Sequence, residues 1–250
     1  MKIHYIRADI KRLLRNPWFY IGILGVMAGL FYAQEGRALR KSVIASYWMS
    51  VSLSGMMILY LFCILPFGMV FCEDLEHHSL RYQIIRGNIV RYVVSKTIVI
   101  YVSSVLTMVL GTGLFALLVR IEHPWLDETL PTGEPFQLGA FGWLIKDGHV
   151  FLFILIYACV LGMLAGMLSV LAAFLSLYLS NKVMVVVLPV CMLQCWIQFV
   201  NHKYLSFYSF HLYTKIFPED WQCILLAFTI SIVPVCLLAV GIIYKIKKRL

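Results

Sequence analysis

Charge is what this chain has least of. Asp, Glu, Lys and Arg make up 13% of its residues, about half the share usual in a globular domain, while 62% are hydrophobic. That excludes a water-soluble fold with an ordinary charged surface and leaves a polytopic membrane protein. The phosphate-cradling pattern Gly-x-x-x-x-Gly-Lys-Ser/Thr is missing, and no Gly-Lys dipeptide occurs anywhere, so the chain does not hold nucleotide by the P-loop route. His-Glu-x-x-His and Gly-x-Ser-x-Gly are missing too. The long apolar runs contain no Asp, Glu, Lys or Arg, which removes the ionisable relay that a proton-coupled carrier or a membrane-embedded enzyme needs. Glu76-His77-His78 is the one group resembling a metal or catalytic cluster, but adjacent histidines do not share a helix face as an i, i+4 pair does. The seven cysteines form no Cys-x-x-Cys pair and lie mostly inside apolar runs, so they read as small core hydrophobes, with neither a disulfide framework nor a metal site implied.

What is there is organised around residues 71–96, a polar and largely basic island between two apolar runs. Glu73, Asp74 and Glu76 cluster at its start, as suits the positive end of a helix dipole, and Arg81, Arg86, Arg91 and Lys96 follow at roughly even intervals. The pattern predicts a short helix, a break at Gly87-Asn88 and a second helix climbing back into the membrane. Leu75, Leu80, Ile84 and Ile85 partly fit a helical stripe, so one face can rest on protein or bilayer while the charged face meets a cytosolic partner. A merely solvated loop would account for the arginines but not for the leading acids or the stripe.

Before the island, residues 2–15 place Ile3, Ile6, Ile10, Leu13 and Leu14 at helical spacing, with Lys2, Arg7, Lys11, Arg12 and Arg15 mostly on the other face. This predicts an amphipathic helix in the headgroup layer, an uncleaved start and not a signal peptide. Asn16-Pro17 turns the chain into a first span, Trp18 to about Ala33. Residues 34–42 are a polar connection. The run from Val43 to Cys72 exceeds one straight span, so it is expected to tilt or to begin with an interfacial portion around Tyr47-Trp48, and Pro66-Phe67-Gly68 should kink its end.

Thr97 to Val119 reads as span three, with Ser103, Ser104, Thr107, Gly111 and Gly113 marking a face packed on other helices. Residues 120–149 read as an irregular extramembrane loop whose Phe136, Phe141, Trp143 and Leu144 let part of it reach the interface. Val150 to about Leu179 is span four, with Gly162 and Gly166 as a small-xxx-small packing pair and a weaker dimer signal. Ser180-Asn181-Lys182 is a tight turn into span five, Val183 to about Val200. Residues 201–221 alternate aromatic and polar groups and read as interfacial, dipping part way into the outer leaflet. Span six, Gln222 to Tyr244, leads to Lys245, Lys247, Lys248 and Arg249. With six spans both ends lie on one side. Fourteen Lys and Arg fall on that side against seven on the other, which predicts cytoplasmic termini.

At this point the residues carry a resemblance. A basic amphipathic helix, six spans with both ends inside, a charged helical loop between spans two and three and an aromatic segment between spans five and six together resemble a small permease of the ABC-2 type transporter family. The most specific part is Phe71-x-Glu73 through Arg86-Gly87 to Ser95-Lys96; at the turn, Ile89-Val90-Arg91 departs from the family's usual Pro or Ser-Arg. The resemblance implies an all-α, single-domain permease over residues 1–250, with an interfacial helix at 1–16, a coupling loop at 73–96 and outer loops at 120–149 and 201–221. It implies that Glu73, Glu76, Arg81 and Arg86 meet a separate ATP-binding subunit, and that Arg7, Lys11, Arg12 and Arg15 belong to the interfacial helix beside it. This chain would then be a transport subunit and no enzyme. ATP and Mg would sit on two copies of the partner ATPase, a second copy of this chain would complete the permease, and no nucleic acid is involved.

The implied setting is the plasma membrane, in a bacterial cell. The path would run along spans one, two and five, where Ser50, Ser54, Gln194 and Gln198 suit an amphipathic or hydrophobic cargo, although interhelical hydrogen bonding is the readier explanation of such side chains. A chain without a large outer domain is similar to permeases that export amphipathic peptides, toxins or antimicrobial peptides among them. Export of a lipid or drug, or a non-transporting assembly or receptor role, are the alternatives.

Overall fold

The computed structural model describes residues 3–33, 42–52, 55–68, 70–71, 89–126, 138–179, 181–199, 215 and 217–249. Among them every regular element is a helix: α1 (Ile3–Arg15), α2 (Pro17–Tyr32), α3 (Val43–Ser52), α4 (Gly55–Ile64), α5 (Ile89–Glu122), α6 (Gly142–Lys146), α7 (Val150–Leu175), α8 (Lys182–Phe199) and α9 (Asp220–Arg249). Three of these, α5, α7 and α9, are long and apolar enough to cross a membrane, and the number rises to five if the bent pairs α1–α2 and α3–α4 each count as one span. Helix α8 is apolar but shorter.

The corner between α1 and α2 follows from two adjacent residues. Asn16 takes an extended conformation and its side-chain oxygen accepts from Trp18 N at 3.1 Å, while Pro17 fills the first helical position, where a missing N–H is harmless. The two helices meet at 62°. The apolar stretch from Val43 is not one tilted span. It is split into α3 and α4, whose axes differ by 80°, and α3 hangs from the end of α5 through Val43 N to Pro124 O at 3.0 Å. Helix α4 stops just before Pro66, and a turn closes on Gly68 N to Ile64 O at 2.8 Å.

Helices α5 and α7 form the centre; α2 and α4 pack on them and on each other, α9 packs on α7 and α5, and α8 packs on α7 and α4. Glycine sets how closely they approach. A Cβ on Gly162 would lie 3.0 Å from Val105 Cα, and one on Gly166 2.7 Å from the Tyr101 ring, so this small-residue pair is spent on packing α7 against α5 within one chain. Gly111 of α5 meets Val26 of α2 in the same way. Hydroxyls lock the seams. Ser104 Oγ donates to Cys63 O at 2.9 Å and stands 2.6 Å from Ser169 Oγ, joining α4, α5 and α7. Cys63 lies in the last turn of α4, whose carbonyls have no partner within the helix, and in lipid such a group must find one from a neighbour. Tyr101 OH and Ser231 Oγ, 2.8 Å apart, join α5 to α9. The faces marked by small and hydroxylated residues are thus the packed ones.

Every fourth residue of α5 from Val90 to Leu118 is an exposed aliphatic, the row available to lipid. Helix α9 is peripheral: 22% of its apolar window is buried, against 56% for α5 and 61% for α7. The segment read as an irregular outer loop contains the short helix α6. It is entered through Phe141 in the left-handed region (φ 61°), and its Leu144 and Ile145 are buried while Trp143 stays exposed.

Candidate functional site

Both ends of the polar island lie in one place. Phe71, just before residues 72–88, and Tyr92, just after them, are buried with ring centroids 6.4 Å apart in an edge-to-face arrangement. Helix α5 begins at Ile89, so residues 89–96 of the island are the first two turns of a 34-residue helix. At 1.5 Å per residue α5 is about 51 Å long, and some 20 Å must project beyond a hydrocarbon core of about 30 Å. One face of the projecting part is covered by protein: Tyr92, Val93, Ser95 and Lys96 are buried, while Val90, Arg91 and Val94 are exposed.

What covers it is α1. Leu13 packs into the cluster containing Phe71, Tyr92 and Val93, together with Leu177 at the end of α7 and Ile242 and Ile246 near the end of α9. Ser95 Oγ donates to the Asp9 carboxylate at 3.1 Å, a bond strengthened by the acceptor's charge. Lys96 extends its ammonium over the Tyr92 ring, 5.2 Å from the centroid. Asn16, besides capping α2, donates its amide to Pro66 O at 2.9 Å, tying the α1–α2 corner to the turn that leads out of α4. The described chain on either side of residues 72–88 is therefore held in a clamp made of α1, the Pro66 turn and the first turns of α5.

Of the residues read as functional, Glu73, Glu76, Arg81, Arg86 and Ser54 lie outside the described residues. Arg7 lies on α1, and Lys11, Arg12 and Arg15 are exposed there. Ser50 is buried, its hydroxyl within hydrogen-bond reach of Leu30 O (2.9 Å) and Ser46 O (3.0 Å), so it serves the α2–α3 seam. Gln194 is half-buried on α8, and Gln198 lies a turn further along the same helix. Of the polar residues at this junction, Asp9 was not expected, whereas Asn16 was expected at the turn into the first span and Ser95 belongs to the stretch that carries the resemblance. One signal pointed to the first, since Asp9 is the only acid in an otherwise basic helix. Among the described residues no group of His, Cys, Asp or Glu could hold a metal ion. Compared with protein-family models and with characterised proteins, the chain matches none.

Proposed function

We propose that this chain is the membrane subunit of an ATP-driven exporter, a small permease of the ABC-2 kind, in which two copies pair with two copies of a separate ATPase. In this reading α8 is span five and brings the number of spans to six, both termini are cytoplasmic, and the protein resides in the plasma membrane of a bacterium. Residues 73–86 dock on the ATPase, with Glu73, Glu76, Arg81 and Arg86 at the contact, while ATP and Mg are held by the partner. The cargo is an amphipathic or hydrophobic molecule, most simply a peptide.

The observation that carries the reading is the clamp around residues 72–88. A docking loop transmits force only if its two ends are held by the elements that must move. Here the Phe71–Tyr92 ring pair, the Asn16–Pro66 bond and the Ser95–Asp9 bond join both ends to α1, α2 and α5. Closure of the ATPases on nucleotide would displace the loop, and a close-packed junction passes displacement on to the helices. The decisive experiment is co-purification of the chain with its candidate ATPase, comparing wild type with Glu73→Arg/Glu76→Arg and reading ATP hydrolysis. A stable complex that the double reversal dissociates or uncouples, with the permease still folded, is the expected result. Absence of any complex, or an indifferent double reversal, would sink the assignment.

A further inference from the structure

Successive residues of a helix turn by about 100°, so residues four apart form rows. The last two turns of α1 display three such rows with three different surroundings. Asp9 and Leu13 face the protein: Leu13 is 3% exposed and Asp9 receives the Ser95 hydroxyl. Ile10 and Leu14 form the next row and are 44% and 55% exposed. Lys11 and Arg15 form the third and are exposed. An apolar row open to the surroundings thus lies between the protein and a row of cations. Beyond the corner, Trp18, Ile21 and Leu24 of α2 are exposed as well. Those residues belong to the lipid-facing surface of a bent pair apolar enough to cross the membrane.

We infer that this part of α1 is a binding site for an anionic phospholipid, whose acyl chains cover Ile10 and Leu14 and whose phosphate is held by Lys11 and Arg15. The assignment rests on the membrane character of the chain and not on the exporter reading. Charge decides between a neutral and an anionic headgroup. Asp9 is the only acid on α1 and is engaged with Ser95 on the protein side, so the outward cation row meets the leaflet without an acid of its own helix beside it. A lipid so held fixes α1 from the side opposite its Asp9–Ser95 and Leu13 contacts.

The test uses the full chain purified in detergent and titrated with phosphatidylglycerol or phosphatidylcholine, with bound lipid counted by native mass spectrometry. Phosphatidylglycerol should bind about tenfold more tightly, and Lys11→Gln/Arg15→Gln should weaken it by about twentyfold, the loss of two cations near a lipid surface. The charge-retaining pair Lys11→Arg/Arg15→Lys should stay within about twofold of wild type. If the neutral pair misfolds, raising salt to about 1 M, where screening acts within about 3 Å, should erase the wild-type preference. Equal binding of the two lipids, or a preference untouched by the substitutions or by salt, overturns the proposal. So does a neutral pair that loses only a protein partner while keeping its lipid.

Discussion

Two buried tyrosines show how much a single hydroxyl depends on its partner. Tyr101 OH is satisfied by Ser231 across the α5–α9 seam, whereas Tyr47 OH, beside the Tyr157 ring, has no hydrogen-bond partner among the described residues. Removing a satisfied hydroxyl forfeits its bond, here the tie between α5 and α9, although Ser231 keeps its bond to Phe228 O at 2.9 Å; removing an orphan relieves a desolvation cost of about 1–3 kcal/mol. Tyr101→Phe should therefore lower, and Tyr47→Phe leave unchanged or raise, the melting temperature of the detergent-solubilised protein. The glycines sort the same way. A Cβ at Gly111 would lie 2.6 Å from Val26 Cβ, and one at Gly162 3.0 Å from a backbone atom, but one at Gly113 only touches Leu155 at 3.4 Å. Gly111→Ala and Gly162→Ala should each destabilise by about 1–3 kcal/mol and Gly113→Ala should be nearly silent, read by the same melts. That these glycines face neighbouring helices was legible, because small residues at four-residue spacing declare a packing face. Their hydroxyl partners were not. Ser104 and Ser169 are 65 positions apart and Tyr101 and Ser231 130, and nothing local in the chain encodes such a meeting.

Among the elements, the corner at Asn16 could be read from two residues because an Asn-Pro pair states both a cap and a first turn. For the second apolar stretch, a separate first portion around Tyr47-Trp48 was one of two expectations, but its angle could not be read, since hydropathy is blind to an 80° change of direction. Nor could the docking of α1 on α5, which depends on Leu13 and Asp9 meeting residues about eighty positions away. Asn16 has two separable functions, so two substitutions should grade its effect. Asn16→Ser keeps the cap and loses the bond to Pro66 O, and Asn16→Ala loses both, adding about 1 kcal/mol. The rate at which a protease clips the α1 region should rise in that order. The loosely packed helices make their own prediction. Cys191 and Cys195 on α8 and Cys236 on α9 are exposed, whereas Cys63 and Cys223 are buried. In mild detergent a small thiol reagent should modify the first three well before the other two, as mapped by peptide mass. Equal rates would contradict the packing.

At the scale of the molecule, the described charges divide unevenly between two ends. Lys11, Arg12 and Arg15 lie with the α1 clamp, and the basic end of α9 reaches the same cluster through Ile246. At the far ends of α5, α7 and α9 the described acids Glu122, Asp147, Glu219 and Asp220 stand beside Arg120, Lys146 and Lys215, so that end is mixed in charge where the α1 end is mostly basic. Such asymmetry fits the positive-inside tendency, and it predicts that a single cysteine at Lys247 is labelled by an impermeant reagent only from the cytoplasm and one at Trp143 only from outside. The node joining Ser104, Ser169 and Cys63 O has a consequence during biosynthesis. Helix α4 emerges from the ribosome long before α7, and until α7 arrives its terminal carbonyl and the Ser104 hydroxyl lack the Ser169 side of their network. The nascent N-terminal half is thus an incomplete polar surface in lipid, the sort of fragment that membrane quality control removes. A chain truncated after His149 should accordingly be degraded rapidly in cells, and supplying residues 150–250 as a separate polypeptide should rescue it.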